Sequence, residues 1–100
     1  MKVHYTKDFM KALKKQSGKQ LQSLLSAVDE VKSAKTLSDI TDLKKMTGLN
    51  TVYRIRVGSQ RAFFTFHVEI VDDTVIFHYL VNRGEAYSKE IQERLKRIDK

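Results

Sequence analysis

The sequence predicts an α+β fold in which an antiparallel sheet carries a helical hairpin on one face and a C-terminal helix. Apolar residues in the first half recur at helical spacing, whereas those in the second half alternate at every second position, as in strands. A Gly58-Ser59 pair separates two alternating stretches, which is typical of a tight hairpin. Together these patterns give the element order β-α-α-β-β-β-α.

The first half begins with a short strand and two helices. Lys2 to Tyr5 alternates, and Thr6 can cap a helix that runs to about Gln16. Gly18 suits the left-handed residue at the end of that helix. A second helix, residues 19–33, has an apolar stripe formed by Leu21, Leu24, Leu25, Val28 and Val31. Because the connection is short, the two helices should form an antiparallel hairpin.

The second half predicts strands at residues 51–57, 61–70 and 74–81, and a last helix from about Ser88. Before them, a spacing of three predicts a short helical turn through Leu37, Ile40 and Leu43. In the middle strand the inward side chains are Ala62, Phe64, Phe66, Val68 and Ile70. The strand at 74–81 is apolar on both faces, which is typical of an interior strand. The last helix turns Ile91, Leu95 and Ile98 inward.

Composition narrows the class of protein. The 100 residues fit one domain, residues 1–100, with a modest core. The absence of cysteine excludes disulfides and thiolate metal sites and fits the cytoplasm. We expect neither a secretory signal nor a membrane span, since no apolar run approaches the roughly 20 residues that a span needs. A net charge of +7 attracts nucleic acid, anionic lipid or acidic protein.

Three arginines on two adjoining strands form the strongest candidate site. Arg54 and Arg56 project from one side of their strand, and the hairpin brings Arg61 close to them on that side. Guanidiniums repel one another unless an anion lies among them, and their planar forks match phosphate oxygens. The stretch 51–66 contains no acid that could pair with them across the strands. We therefore predict a phosphate clamp, with a solvated sheet face as the alternative.

A second candidate is the segment Asn82-Arg83-Gly84-Glu85-Ala86-Tyr87, which joins the last strand to the last helix. Arg83 and Tyr87 can face an open sheet surface there, or Tyr87 can simply pack beneath the helix. The three histidines are expected to be structural. His67, for example, is about 20 Å along the strand from Arg61. No residues have metal-ligand spacing.

Three segments together resemble the RelE/ParE superfamily of bacterial toxins. They are Leu43 to Gly48, Tyr53 to Gly58 followed by Arg61, and Arg83 to Tyr87. The strand-turn-strand segment is the most specific of them, and the predicted element order agrees with it. Toxins of this superfamily are encoded beside an antitoxin that neutralises them, so the resemblance implies a cognate antitoxin as partner.

The RelE branch implies a ribosome-dependent mRNA endonuclease that uses neither a metal nor a small-molecule cofactor. In such toxins the RNA 2′-hydroxyl attacks the adjacent phosphate, a reaction that needs a base, a proton donor and cations. The resemblance assigns the scissile phosphate to Arg61, a transition-state or proton-donor role to Arg83, and the base to Tyr87. It assigns binding of the RNA backbone phosphates to Arg54 and Arg56.

Departures from the RelE pattern leave other functions open. The RelE type has lysines in place of Arg54 and Arg56, many relatives have an aromatic residue in place of Gln60, and some nucleases have a histidine in place of Asn82. A ParE-like toxin that inhibits DNA gyrase, or a catalytically inactive protein that binds RNA or the antitoxin, is therefore an alternative. The presence of the three proposed catalytic residues together favours the nuclease.

Overall fold

A computed structural model describes residues 1–100 and contains one five-stranded sheet in the order β1-β5-β4-β3-β2. A 3-10 turn, Leu37–Asp39, precedes β2, and no helix has the length and apolar character to cross a membrane. The elements are β1 (Lys2–Tyr5), α1 (Lys7–Lys14), α2 (Gly18–Ser33), β2 (Leu43–Lys45), β3 (Val52–Val57), β4 (Gln60–His67), β5 (Thr74–Asn82) and α3 (Lys89–Ile98).

The predicted α+β class and the C-terminal helix are confirmed, but the sheet differs in two respects. β1 pairs with β5 in parallel, so the sheet is not wholly antiparallel. An additional strand, β2, forms an edge beside β3, with Leu43 opposite Ile55. The prediction of a helical turn that extends to Leu43 is therefore wrong, because pairing with β3 outweighs the local spacing.

The predicted helix cap and hairpin glycine are present at the expected positions. The hydroxyl of Thr6 caps α1 by accepting from the backbone N–H of Phe9 at 3.2 Å, and Ser88 caps α3 in the same way. Gly58 has a φ of 58°, the left-handed value that a tight hairpin needs at its first central residue. The hairpin between β3 and β4 is thereby fixed in the predicted register.

Two apolar cores cover opposite faces of the sheet. The larger core lies under α1 and α2, where the ring centroids of Phe64 and Phe77 are 5.5 Å apart. The smaller core lies beneath α3 and consists of Met46, Val52, Phe63, Ala86, Ile91 and Leu95. The three helices therefore enclose the middle of the sheet from both sides.

Strand β4 is buried on both faces. Alternation placed Phe63 outward, yet it is fully buried beneath α3, and Thr65 is also buried. The strand ends at His67, short of the predicted end at Ile70, so Val68 and Ile70 are exposed and the prediction that they face inward is wrong. The β4 pairing with β5 stops where β5 begins, which leaves these residues in the connecting loop.

Candidate functional site

The arginines of β3 and β4 project from one face of the sheet. Arg56 lies directly opposite Arg61, and Arg54 lies opposite Phe63. Directly opposed residues of an antiparallel pair point to the same face, so the three arginines project together as the sequence predicted. Because Phe63 belongs to the core beneath α3, this is the face that α3 covers further along the strands.

Arg61 is the most enclosed of these side chains, with 7% of its surface exposed. Its Nη1 donates to the backbone carbonyl of Gly58 at 3.0 Å and to that of Gln60 at 2.9 Å. These bonds anchor the guanidinium to the hairpin turn, so Arg61 is held in place before any ligand arrives.

Arg83 joins the same neighbourhood from the end of β5. Its backbone N–H donates to the carbonyl of Ser59 at 2.8 Å, which fastens the segment after β5 to the hairpin turn. Burial lowers the pKa of Arg61, and the charges of the other three arginines lower it further. The four side chains therefore share one electrostatic environment. We refer to Arg54, Arg56, Arg61 and Arg83 as the arginine cluster.

Tyr87 contacts the arginine cluster from the segment before α3. Nη1 of Arg54 donates to its hydroxyl oxygen at 3.3 Å. The Tyr87 side chain is 54% exposed and does not pack beneath α3, where Ala86 is buried instead. The Nε–H of Arg54 is buried without a hydrogen-bond partner, which is uncommon in folded proteins.

Arg56 differs from the rest of the cluster because it has an acidic partner. Oδ1 of Asp42 lies 3.3 Å from Nη2 of Arg56. The absence of acids from 51–66 predicted no such pair, but Asp42 reaches Arg56 because it immediately precedes β2, the strand that pairs with β3. Asp42 has a φ of 58°, a left-handed conformation that aspartate adopts more readily than most residues. The other three arginines of the cluster make no ion pair.

The geometry of the cluster suits a phosphate that lies beside a phenol. Three guanidiniums without acidic partners supply hydrogen-bond donors in fixed planes, which suits bidentate contacts to phosphate oxygens. The hydroxyl of Tyr87 adds a group that can exchange a proton with a bound ligand. The histidines lie elsewhere: His67 and His78 bond to Thr65, and His4 is exposed in β1.

Similarity to a known protein extends over most of the chain. No protein-family model matches it. The chain is 34% identical over 88 residues to Toxin RelE3 of Methanocaldococcus jannaschii, and the alignment covers 87% of this chain and 96% of that toxin.

Solved structures share the fold. A chain of the RelB-RelE antitoxin-toxin complex from Methanococcus jannaschii has a TM-score of 0.68 and 29% identity, and covers 85% of this chain and 95% of that chain. The archaeal RelE-RelB complex from Pyrococcus horikoshii has a TM-score of 0.66, 24% identity and coverage of 85% and 97%. A free mutant of the E. coli toxin RelE has a TM-score of 0.66, 18% identity and coverage of 97% and 96%. The last two likenesses concern the fold alone.

Proposed function

Because the chain belongs to the RelE family of toxins, we propose that it is the toxin of a toxin–antitoxin pair and that it cleaves messenger RNA on the ribosome. Its site of action would be the cytoplasm, where ribosomes meet mRNA. The observation that carries the proposal is the contact between Arg54 and Tyr87 beside the enclosed Arg61. It joins a phosphate-binding group to a proton-accepting group.

In the proposed reaction the 2′-oxygen of one nucleotide bonds to the adjacent phosphorus, and the bond from phosphorus to the 5′-oxygen of the next nucleotide breaks. Tyr87, acting as its phenolate, takes the 2′-hydroxyl proton and becomes a neutral phenol. Before this transfer, the hydrogen bond from Arg54 stabilises the negative charge on the phenolate oxygen. The leaving 5′-oxygen acquires a proton from Arg83 or from water. A cyclic phosphate and a free 5′-hydroxyl result.

Arg61 and Arg83 would stabilise the extra charge on the phosphate in the transition state. Arg61 suits this role because its bonds to the hairpin carbonyls fix it beforehand, so little reorganisation is needed. Arg54 and Arg56 would bind the RNA backbone. Arg56 has to share its guanidinium between phosphate and Asp42.

The proposed partner is an antitoxin protein. One structural relative, from Methanococcus jannaschii, is a RelB-RelE antitoxin-toxin complex. An acidic antitoxin segment that occupies the arginine cluster would imitate phosphate and exclude RNA.

Induced expression followed by mapping of mRNA 5′ ends tests the function. The parental chain should arrest growth and generate new 5′ ends in translated messages, whereas Arg61→Ala should do neither. Arg94→Ala is a matched control, because Arg94 pairs with Glu90 on α3 and lies outside the cluster. Intact mRNA accompanied by an SOS response would identify a gyrase inhibitor instead. Growth arrest and cleavage by Arg61→Ala at the parental rate would refute the assignment of the site.

A further inference from the structure

A second basic site lies at the other end of the face that carries the arginine cluster. Thr65 and His67 continue the alternation of Arg61 along β4 and line a cavity of about 210 Å³ beneath the C-terminal end of α3. The walls carry four basic side chains and no acidic one. We refer to this cavity as the histidine pocket. Its polar lining residues are Thr65, His67, His78, Arg97 and Lys100.

The hydroxyl of Thr65 joins the two histidine rings. Its oxygen lies 2.9 Å from Nε2 of His78 and 2.8 Å from Nε2 of His67. One hydroxyl hydrogen can be donated to only one ring, so at least one Nε2 carries a hydrogen and donates to Thr65. Because Thr65 is 1% exposed, this network fixes both rings from within the fold. Neither Nδ1 has a hydrogen-bond partner in the protein, and neither is a buried atom, so both can meet a ligand.

A β-bulge directs His78 into this pocket. Phe63 pairs with Tyr79 and Phe64 pairs with Phe77, which leaves His78 as the extra residue of β5. Without the bulge, alternation from Tyr79 would turn His78 to the opposite face, into the larger core. Bulges re-aim side chains and are common beside functional sites. The fold thus departs from a regular ladder at the residue that completes the pocket.

We propose that the histidine pocket binds a phosphate-type oxyanion, supplied by the backbone of an RNA strand that extends from the arginine cluster along the same face. Arg97 offers a planar fork and Lys100 an ammonium, and a neutral histidine ring whose Nε2 accepts from Thr65 carries its hydrogen on Nδ1 as a further N–H donor. Such a set of donors repels metal cations and suits an anion. The assignment to RNA rests on the proposed substrate, whereas the anion site itself does not.

Titration with inorganic phosphate at constant ionic strength, followed by NMR of the histidine ring protons, tests the anion site. Saturable shifts of both His67 and His78 are expected, and Arg97→Gln should weaken binding about tenfold. Lys96→Gln is the matched control, because Lys96 is exposed on the same helix and does not line the pocket. Absence of shifts, or equal weakening by Lys96→Gln, would overturn the proposal.

A 2′-O-methyl RNA oligonucleotide distinguishes the sources of phosphate. It should shift the same rings and compete with inorganic phosphate; shifts with inorganic phosphate alone would overturn the assignment to RNA. Shifts with an antitoxin protein but with neither phosphate nor the oligonucleotide would identify a carboxylate-binding surface and also overturn the proposal. Because the oligonucleotide lacks the attacking hydroxyl, binding is measured without cleavage. The proposal of nuclease activity can therefore be refuted while the proposal of the anion site is supported, and the reverse outcome is also possible.

Discussion

Nη1 of Arg54 and the hydroxyl oxygen of Tyr87 lie 3.3 Å apart, although 33 positions separate the two residues along the chain. Arg54 belongs to β3, whereas Tyr87 belongs to the segment that Ala86 anchors beneath α3. The position of the proposed base therefore depends on how this segment is docked. The proposed phosphate contacts depend instead on the hairpin between β3 and β4, which carries Arg54, Arg56 and Arg61.

Tyr87→Phe should reduce cleavage of ribosome-bound mRNA by about 10²–10⁴-fold, the usual contribution of a general base. The melting temperature should not change, because the Tyr87 side chain is largely exposed and keeps its ring. Tyr5→Phe is a matched control, since Tyr5 is a partly exposed tyrosine of β1, outside the cluster. Cleavage by Tyr87→Phe at the rate of the Tyr5→Phe protein would remove Tyr87 from the mechanism.

Asp42→Asn should strengthen RNA binding at low salt, because it frees the guanidinium of Arg56 for a phosphate. One additional phosphate contact steepens the dependence of log affinity on log salt concentration by about one. Stability should change little, since exposed ion pairs contribute only about 0–1 kcal/mol. Asp29→Asn removes the same charge from α2 without touching the cluster. An unchanged slope for Asp42→Asn, or the same increase for Asp29→Asn, would contradict this role.

Phe64→Ala should lower the free energy of unfolding by about 3–5 kcal/mol, because it leaves a cavity in the larger core. Phe64 is fully buried between Tyr53 and Phe77, as the alternation of the sequence predicted. Val68→Ala should cost less than about 0.5 kcal/mol, since Val68 is 81% exposed. Denaturant unfolding measures both. Similar losses for the two variants would show that the strand continues beyond His67.

The free energy of unfolding should fall as the solution is acidified from about pH 7 to pH 5. Burial lowers the pKa of His78, and the neighbouring His67 lowers it further. In this range His78 binds a proton more readily in the unfolded chain than in the folded chain. The free energy of unfolding is therefore highest above the ordinary histidine pKa and decreases as the pH falls below it. Arg97 and Lys100, which line the same pocket, are also cationic. His78→Gln should flatten the profile and His4→Gln should not; parallel profiles for His78→Gln and the parent would contradict this.

Short sequence patterns correctly predicted those features of the fold that depend on neighbouring residues. Short-range spacing predicted the cap at Thr6, the turn at Gly58 and the face of the sheet from which Arg61 projects. All three are present in the structure. What the sequence did not reveal depends on pairing between distant segments. Leu43 fits a helical spacing until β3 pairs with it, and the β-bulge at His78 has no signal in composition or alternation.

In the candidate site, too, local patterns predicted some residues, whereas others depend on pairing between distant segments. Alternation and the hairpin placed Arg54, Arg56 and Arg61 together, because a tight turn fixes the register of both strands. The acid beside Arg56 was missed, since Asp42 approaches through β2, a strand that no local pattern indicated. The histidine pocket was missed because only the distance from His67 to Arg61 was considered, and not whether His67 meets His78 across the strands at Thr65.

Helix α3 should be less protected against hydrogen exchange than strand β4. It covers the smaller core through Ile91 and Leu95, and the carboxylate of Asp99 accepts from the backbone N–H groups of Asn50 and Thr51 at 2.7–3.0 Å. Amides of α3 should exchange faster than those of β4, which is paired on both sides. Asp99→Asn should accelerate exchange in α3 and leave β4 unchanged. Uniform acceleration would mean that α3 and the sheet open as one unit.

Antitoxin binding should then change exchange at the arginine hairpin, in α3, or in both. The cluster is a dense positive charge whose one acidic partner neutralises Arg56 alone, so an acidic antitoxin segment gains most by covering Arg54, Arg61 and Arg83. Apolar antitoxin side chains can lie along Ile91 on α3 or displace that helix from its core. Protection of residues 54–61 with unchanged α3 would indicate imitation of phosphate, and faster exchange in α3 would indicate displacement of the helix that positions Tyr87. If neither region responds, neutralisation acts elsewhere on the molecule.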